Sequence, residues 1–316
     1  MNSLRLAGAI CLAALAWPAW GQTPWTGGAA PGPELKAALD KADAGDPAPL
    51  VALADGGDAN AQYYAGVLYV MGRGSIAPDP PRGCAYEEKA SASRADAMYL
   101  VGRCYETGAG GRQDKAKAEA SYTRSSEMGY PQAKCGLGRM LMADPQQAER
   151  GLSLCKEAAA AGDADSQLAV GDAYFNGAPP VKRDGAEARK WYGEAARQNA
   201  PNAARKLGEM YAAGDGGPKD EKKAMELWIG AEKAGDPMVA ILVADQMFSD
   251  LTGGRKPGPG KYGFRGGVPV AEIEVIEEWY RQAANSDPRP EVKKRANYAL
   301  SILAGFKTAG QSAPRS

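Results

Sequence analysis

The sequence predicts an all-α protein, a solenoid of about six helix-turn-helix repeats. Three observations carry this. First, one short frame recurs: "QYYAGVLY" around Gly66, "MYLVGRCY" around Gly102, "KCGLGRML" around Gly138, "QLAVGDAY" around Gly171 and "ARKLGEMY" around Gly208. Degenerate copies follow at Asp245 ("ILVADQMF") and Ser301 ("NYALSILA"), giving intervals of 36, 36, 33, 37, 37 and 56 residues. A fixed period between about 20 and 50 residues marks stacked supersecondary units. Second, each frame is helical in period: the small residue five before the Gly, the aliphatic just before it and the Tyr three after it share one face. Third, Gly-rich turns ("MGRGS", "TGAGG", "NGAPP", "AGDGG") lead to Asp79, Asp114, Asp184 and Asp220, each suited to cap a second helix.

The elements follow in chain order. Residues 1–21 read as a signal peptide: Arg5 opens it, "LAGAICLAALAW" is apolar but too short to span a bilayer, and Ala19 and Gly21 stand at −3 and −1 of a cut before Gln22. Residues 22–33 read as a flexible linker and 34–58 as a capping helical hairpin, because solenoid ends need polar covers. The solenoid is expected over 59–305, followed by a flexible tail, 306–316. In each hairpin the mid-helix Gly of the first helix costs about 1 kcal/mol against Ala, so close helix packing is expected to repay it. The second helix carries an aromatic eight residues after its Asp, at Tyr122, Tyr192 and Trp228, and seven after at Tyr86. "AGD" and "QNAPNA" return the chain, with Gly or Asn as the C-cap. The third unit lacks a Gly-rich turn and is expected to open its second helix at Asp144-Pro145. The sixth replaces the turn by an insertion, 249–270.

The phrases "KLGEMYAAGDGGPKDEKKAMELW" and "VGDAYFNGAPPVKRDGAEARKWYGEAA" resemble the SEL-like repeat (SLR), a relative of the tetratricopeptide repeat, over about residues 59–303. The resemblance implies a right-handed α/α superhelix and a protein-binding role. It names no partner, since one repeat scaffold serves unrelated tasks.

Composition narrows the function classes. Lys+Arg and Asp+Glu both total 38, so no basic excess points to nucleic acid. Histidine is absent, which removes the usual neutral-pH base, the Ser-His-Asp and Cys-His pairings and the commonest metal ligand. No metal site and no cofactor are expected. "SLCK" at 153–156 matches the S-x-x-K of penicillin-recognising enzymes, yet S-D-N and K-T-G are missing. A β-lactam-recognising hydrolase of the cysteine-rich SLR type is therefore the alternative to a non-enzymatic scaffold. Ligand capture in the groove without a protein partner is the third reading.

Without Cys11, which falls in the apolar leader, four cysteines remain. An even number in an exported chain favours disulfides, and no CxxC supplies zinc-ligand spacing. Cys84 and Cys104 flank one antiparallel turn symmetrically, and Cys135 and Cys155 another, so Cys84–Cys104 and Cys135–Cys155 are the expected pairs. Cysteine-rich secreted relatives staple their hairpins in the same way. Free thiols and the other connectivities of four cysteines stay open at this level.

Repeat proteins bind partners on the concave face lined by the first helix of each hairpin. Carried over by register from the tetratricopeptide arrangement, the outward positions are Tyr63, Tyr99, Arg103, Glu106, Arg139, Asp172, Arg205 and Glu209. Aromatic and Arg side chains are the types enriched at binding hot spots. The insertion offers a second candidate in Arg255, Lys256, Lys261, Tyr262, Phe264 and Arg265, since a long loop interrupting an array is often functional. The expectation is an exported, monomeric scaffold of the bacterial envelope, periplasmic or secreted after cleavage near Gly21. It would bind a protein partner as a regulator, assembly factor or toxin neutraliser, with neither nucleic acid nor a membrane span involved.

Overall fold

The computed structural model describes residues 31–177, 181–254 and 270–311. Among them are fifteen α-helices and no strand, as the repeat pattern predicts. The leader, most of the linker and the loop candidates Arg255, Lys256, Lys261, Tyr262, Phe264 and Arg265 lie outside the described residues. The chain divides into two compact units, Met1–Arg183 and Asp184–Ser316.

The first unit begins with α1 (Pro33–Asp43) and α2 (Ala48–Asp55). Three hairpins follow: α3 (Ala59–Met71) with α4 (Pro80–Ala90), α5 (Ala95–Thr107) with α6 (Lys115–Glu127), and α7 (Pro131–Met142) with α8 (Ala148–Ala160). The unit ends with α9 (Ala164–Asn176). The second unit holds α10 (Gly185–Arg197), then α11 (Pro201–Ala213) with α12 (Glu221–Lys233), α13 (Ala240–Thr252) with α14 (Val270–Ser286), and α15 (Pro290–Gln311).

Local chemistry sets the helix ends. The carboxylates of Asp79, Asp114, Asp184 and Asp220 accept from the backbone N–H groups of Arg82, Lys117, Glu187 and Lys223 at 2.9–3.3 Å. Each satisfies an otherwise orphaned donor of the first turn. Asp144 behaves differently from expectation. It accepts from the Gln146 N–H at 3.0 Å and from the Gln147 amide at 3.2 Å, closing a turn, so α8 starts only at Ala148. Where the chain returns, Gly162 and Gly235 take left-handed backbone (φ 94° and 92°), and Asn199 takes the same turn position at φ 61°. Asn is the side chain that best tolerates that conformation.

Packing within a hairpin depends on two positions of its second helix. Four residues past the cap stand Gly83, Ala118, Gly151, Ala188 and Ala224, all buried. Eight past it stand Glu87, Tyr122, Cys155, Tyr192 and Trp228, also buried. The mid-helix glycines meet this second row. A Cβ on Gly102 would lie 2.7 Å from the Tyr122 ring, one on Gly138 2.9 Å from Cys155 Sγ, and one on Gly208 2.5 Å from Trp228 Nε1. Gly66 meets Glu87 in the same way. A second recurring contact places the cation three residues past the cap over the Tyr three past the Gly: Arg82 over Tyr69 at 4.1 Å, Lys117 over Tyr105 at 5.0 Å and Lys223 over Tyr211 at 4.5 Å. Such pairs contribute about 0.5–1 kcal/mol each at exposed sites.

The sixth hairpin solves the same crossing with polar groups. Asp245 replaces the Gly, accepts from the Tyr280 hydroxyl at 3.0 Å and pairs with Arg295. α15 continues to Gln311, past residue 305 where the tail was expected to begin. Phe306 packs on the core of this unit, and Lys307 reaches Glu277 at 3.0 Å and Glu274 at 3.3 Å, which holds the extra turns. Its Glu291, Lys293, Lys294 and Ser301 are exposed, giving the polar cover that an array end requires.

Glu87 is the exception in its row. Its side chain is fully buried and neither carboxyl oxygen has a hydrogen-bond partner among the described residues. Burial pushes the carboxyl well above the usual carboxylate range; Asp96 adds to the rise and Arg94 opposes it. The folded state therefore holds a proton that the unfolded chain releases, and stability falls as pH rises from the ordinary carboxylate pKa through the raised one.

Two outcomes are expected from denaturant unfolding. Gly208→Leu loses about 2–3 kcal/mol because its side chain meets Trp228, although helix propensity alone favours Leu; a more stable variant would refute the close crossing. Glu87→Met gains about 1–3 kcal/mol at pH 7, with the gain shrinking toward pH 4. Parallel stability curves for the two proteins across that range would show that Glu87 carries no such penalty.

Candidate functional site

The first helices of three successive hairpins, α5, α7 and α9, wall a groove of about 940 Å³ within the first unit. Tyr99, Arg103 and Glu106 enter it from α5, Arg139, Met140 and Met142 from α7, and Asp165, Leu168 and Asp172 from α9. Period explains the α5 set: positions 99, 103 and 106 are four and three apart and share one helix face.

Glycine packing positions the α5 wall. Because Gly102 has no side chain, the Tyr122 ring of α6 fits against α5. That ring lies tilted at 5.5 Å from Tyr99, which also meets Tyr130 at 5.3 Å. The Tyr122 hydroxyl donates to Glu106 Oε2. Burial, then Glu106, pushes the Tyr122 hydroxyl pKa far up, so it stays protonated and remains a donor. At Arg139 burial works against the charge, but Tyr99 and Glu106 more than offset it, and the guanidinium stays ionised. The Arg103 guanidinium has no hydrogen bond or ion pair among the described residues.

Asp165 was missed by the sequence reading. It lies in the first turn of α9, exposed to water yet crowded by the groove walls. That crowding raises its carboxyl, Asp163 raises it further, and Arg139 and Arg103 oppose the rise. A register signal existed, since the second residues of the first helices run Asn60, Asp96, Gln132, Asp165 and Asn202, a polar row at one height.

Of the eight expected face residues, Tyr99, Arg103, Glu106, Arg139 and Asp172 line this groove. Tyr63 does not. It is 9% exposed, its ring covered by the Arg94 guanidinium at 4.3 Å and by Tyr64 at 5.3 Å. Arg205 and Glu209 belong to the second unit. There the Arg205 guanidinium is occupied by Asp236 at 2.8 Å and Glu209 at 3.1 Å, while Glu209 itself is exposed.

Ser153 is exposed, and Lys156 Nζ lies 5.1 Å from the Tyr174 ring centre. Among the described residues no group of three or more His, Cys, Asp or Glu could hold a metal, and no helix is long and apolar enough to cross a membrane.

The expected cysteine pairs stand at bonding distance, Cys84–Cys104 at 2.04 Å and Cys135–Cys155 at 2.08 Å. The first ties α4 to α5 beside Arg103, and the second ties α7 to α8. Each closes a loop spanning 20 residues, worth about 3 kcal/mol by loop-closure entropy. Reduction is expected to lower the thermal midpoint measured by circular dichroism, and non-reducing peptide maps are expected to show these two pairs. Four alkylatable thiols in the native protein would contradict this.

The Sel1 repeat profile matches residues 59–93, 95–130, 131–163, 164–199, 201–236 and 277–288, more than half of the chain. Chitin synthase regulatory factor 3 of Schizosaccharomyces pombe is 32% identical over 131 residues, which is 40% of this chain and 14% of that protein. The crystal structure of c5321, a protective antigen of uropathogenic Escherichia coli with an SLR fold, aligns with a TM-score of 0.55 at 26% identity, covering 84% of this chain and 53% of that one. A Sel1 repeat protein from Oxalobacter formigenes aligns at 0.50 and 21% identity, over 85% and 76% of the two chains.

Proposed function

Since this chain belongs to the Sel1-repeat family, we propose that it is an exported, non-enzymatic scaffold of the bacterial envelope that takes a segment of a partner protein into the groove of α5, α7 and α9. The observation that carries this reading is the Arg103 guanidinium, which lines the groove and has no hydrogen bond or ion pair among the described residues. Arg139 lines the same groove, held in place by Tyr99. Two guanidinium groups so placed suit a carboxylate, which Arg can hold through two parallel hydrogen bonds. Met140, Met142 and Leu168 supply apolar surface beside them, and Met adapts its shape to varied partners. The name of the S. pombe relative, a regulatory factor, accords with a regulatory role. Export is supported by the apolar leader and by cysteine pairs that persist in oxidising compartments.

Pull-down from envelope extract under mild crosslinking identifies the partner, and calorimetric titration then tests the groove. The Arg103→Ala/Arg139→Ala variant is expected to keep its helical circular dichroism and lose at least about 2 kcal/mol of affinity. Ser153→Ala is expected to bind like wild type. Wild-type binding by the double variant, with binding lost on deleting 253–266, would move the site to the insertion.

A further inference from the structure

Among the described residues that line the groove, the side chains of Arg103, Lys115 and Asp165 have no hydrogen bond or ion pair. Arg103 sits on the α5 wall and Lys115 at the start of α6. Asp165 is the acid of the three, and Arg103 and Arg139 are close enough to act on its carboxylate through space. The corresponding residue of α5 is buried and paired, whereas Asp165 faces water. Asp96 is also the second residue of its helix, and Arg94, two residues earlier, pairs with it and donates to Asn60 as well. In α9 the residue two earlier is Asp163, an acid where α5 has its cation. That acid is already committed, since Asp163 caps the helix by accepting from the Ser166 N–H at 2.7 Å and from the Ser166 hydroxyl. The helix N-terminus tolerates a carboxylate at Asp165, but supplies no counter-charge on the groove side.

We infer that Asp165 forms a cation subsite of the groove, so that the bound segment presents a carboxylate to Arg103 and a lysine or arginine side chain to Asp165. This rests on the partner-binding reading above and adds a charge rule to it. The segment is of mixed charge, its acidic and basic groups set toward opposite walls, with an apolar residue over Met140 and Leu168. A purely acidic segment would bring a second negative charge up to Asp165, and like charges brought together discriminate against a wrong partner.

The test uses the oxidised full-length mature chain and a random dodecapeptide library displayed on phage. Enriched peptides are synthesised and titrated against wild type, Arg103→Ala and Asp165→Asn, with thermal melts confirming that both variants fold. The expected result is a consensus containing both an acid and a base, with each variant weakening binding at least tenfold. Replacing the peptide's base by norleucine should abolish the effect of Asp165→Asn while leaving that of Arg103→Ala. Peptides that depend on Arg103 but bind Asp165→Asn as tightly as wild type would overturn the cation subsite and leave the groove reading standing. No enrichment, or peptides indifferent to both variants, would overturn both.

Discussion

The structure depends on one contact, seen in four hairpins: a glycine in the middle of the first helix, pressed against the residue eight past the cap of the second. Gly66 meets Glu87, Gly102 meets Tyr122, Gly138 meets Cys155 and Gly208 meets Trp228. None of these crossings has room for a Cβ. The helices therefore approach closely, and the buried small residues four past the cap, such as Gly83 and Gly151 against the Gly66 and Gly138 carbonyls, complete the approach. Such a crossing stabilises by dispersion and apolar burial, and it offsets the propensity lost at the glycine.

That contact also builds the groove. The Tyr122 ring enters through the gap left by Gly102, braces Tyr99 and directs its hydroxyl at Glu106. Polar groups of the α5 wall are thus oriented by the packing of α6 on an adjoining stripe of the same helix. A recognition site held this way loses little side-chain freedom on binding. The cysteines act on the same elements, since Cys104 sits beside Arg103 on α5 and Cys155 occupies the crossing opposite Gly138.

Most of the hairpin architecture was legible in the chain. Caps, turn glycines and the period are local signals, and local signals survive folding when every level agrees. The discrepancies arose where a tertiary contact outweighed the local pattern. Asp144 had the chemistry of a cap, but the short third turn used it to close the turn itself. Residues 306 and 307 followed no repeat pattern, yet Phe306 found the core of the second unit and Lys307 two carboxylates. The period places Tyr63 and Tyr99 at equivalent positions. Arg94 closes over the first ring, whereas the second lines the groove.

By itself the sequence determined the repeat, its hairpins, four of the helix caps and which cysteines could meet, because each follows from spacing along one helix or across one turn. Tertiary structure alone decided which charges remain available. Arg103, Arg139 and Arg205 look alike in register, but Asp236 and Glu209 occupy Arg205, Tyr99 holds Arg139, and Arg103 has no partner among the described residues. Asp96 and Asp165 likewise stand second in their helices, but Asp96 is buried and paired with Arg94, whereas Asp165 is exposed and follows an acid two residues earlier. Pairing is a property of distances between side chains on different elements, and those distances exist only once the helices have packed.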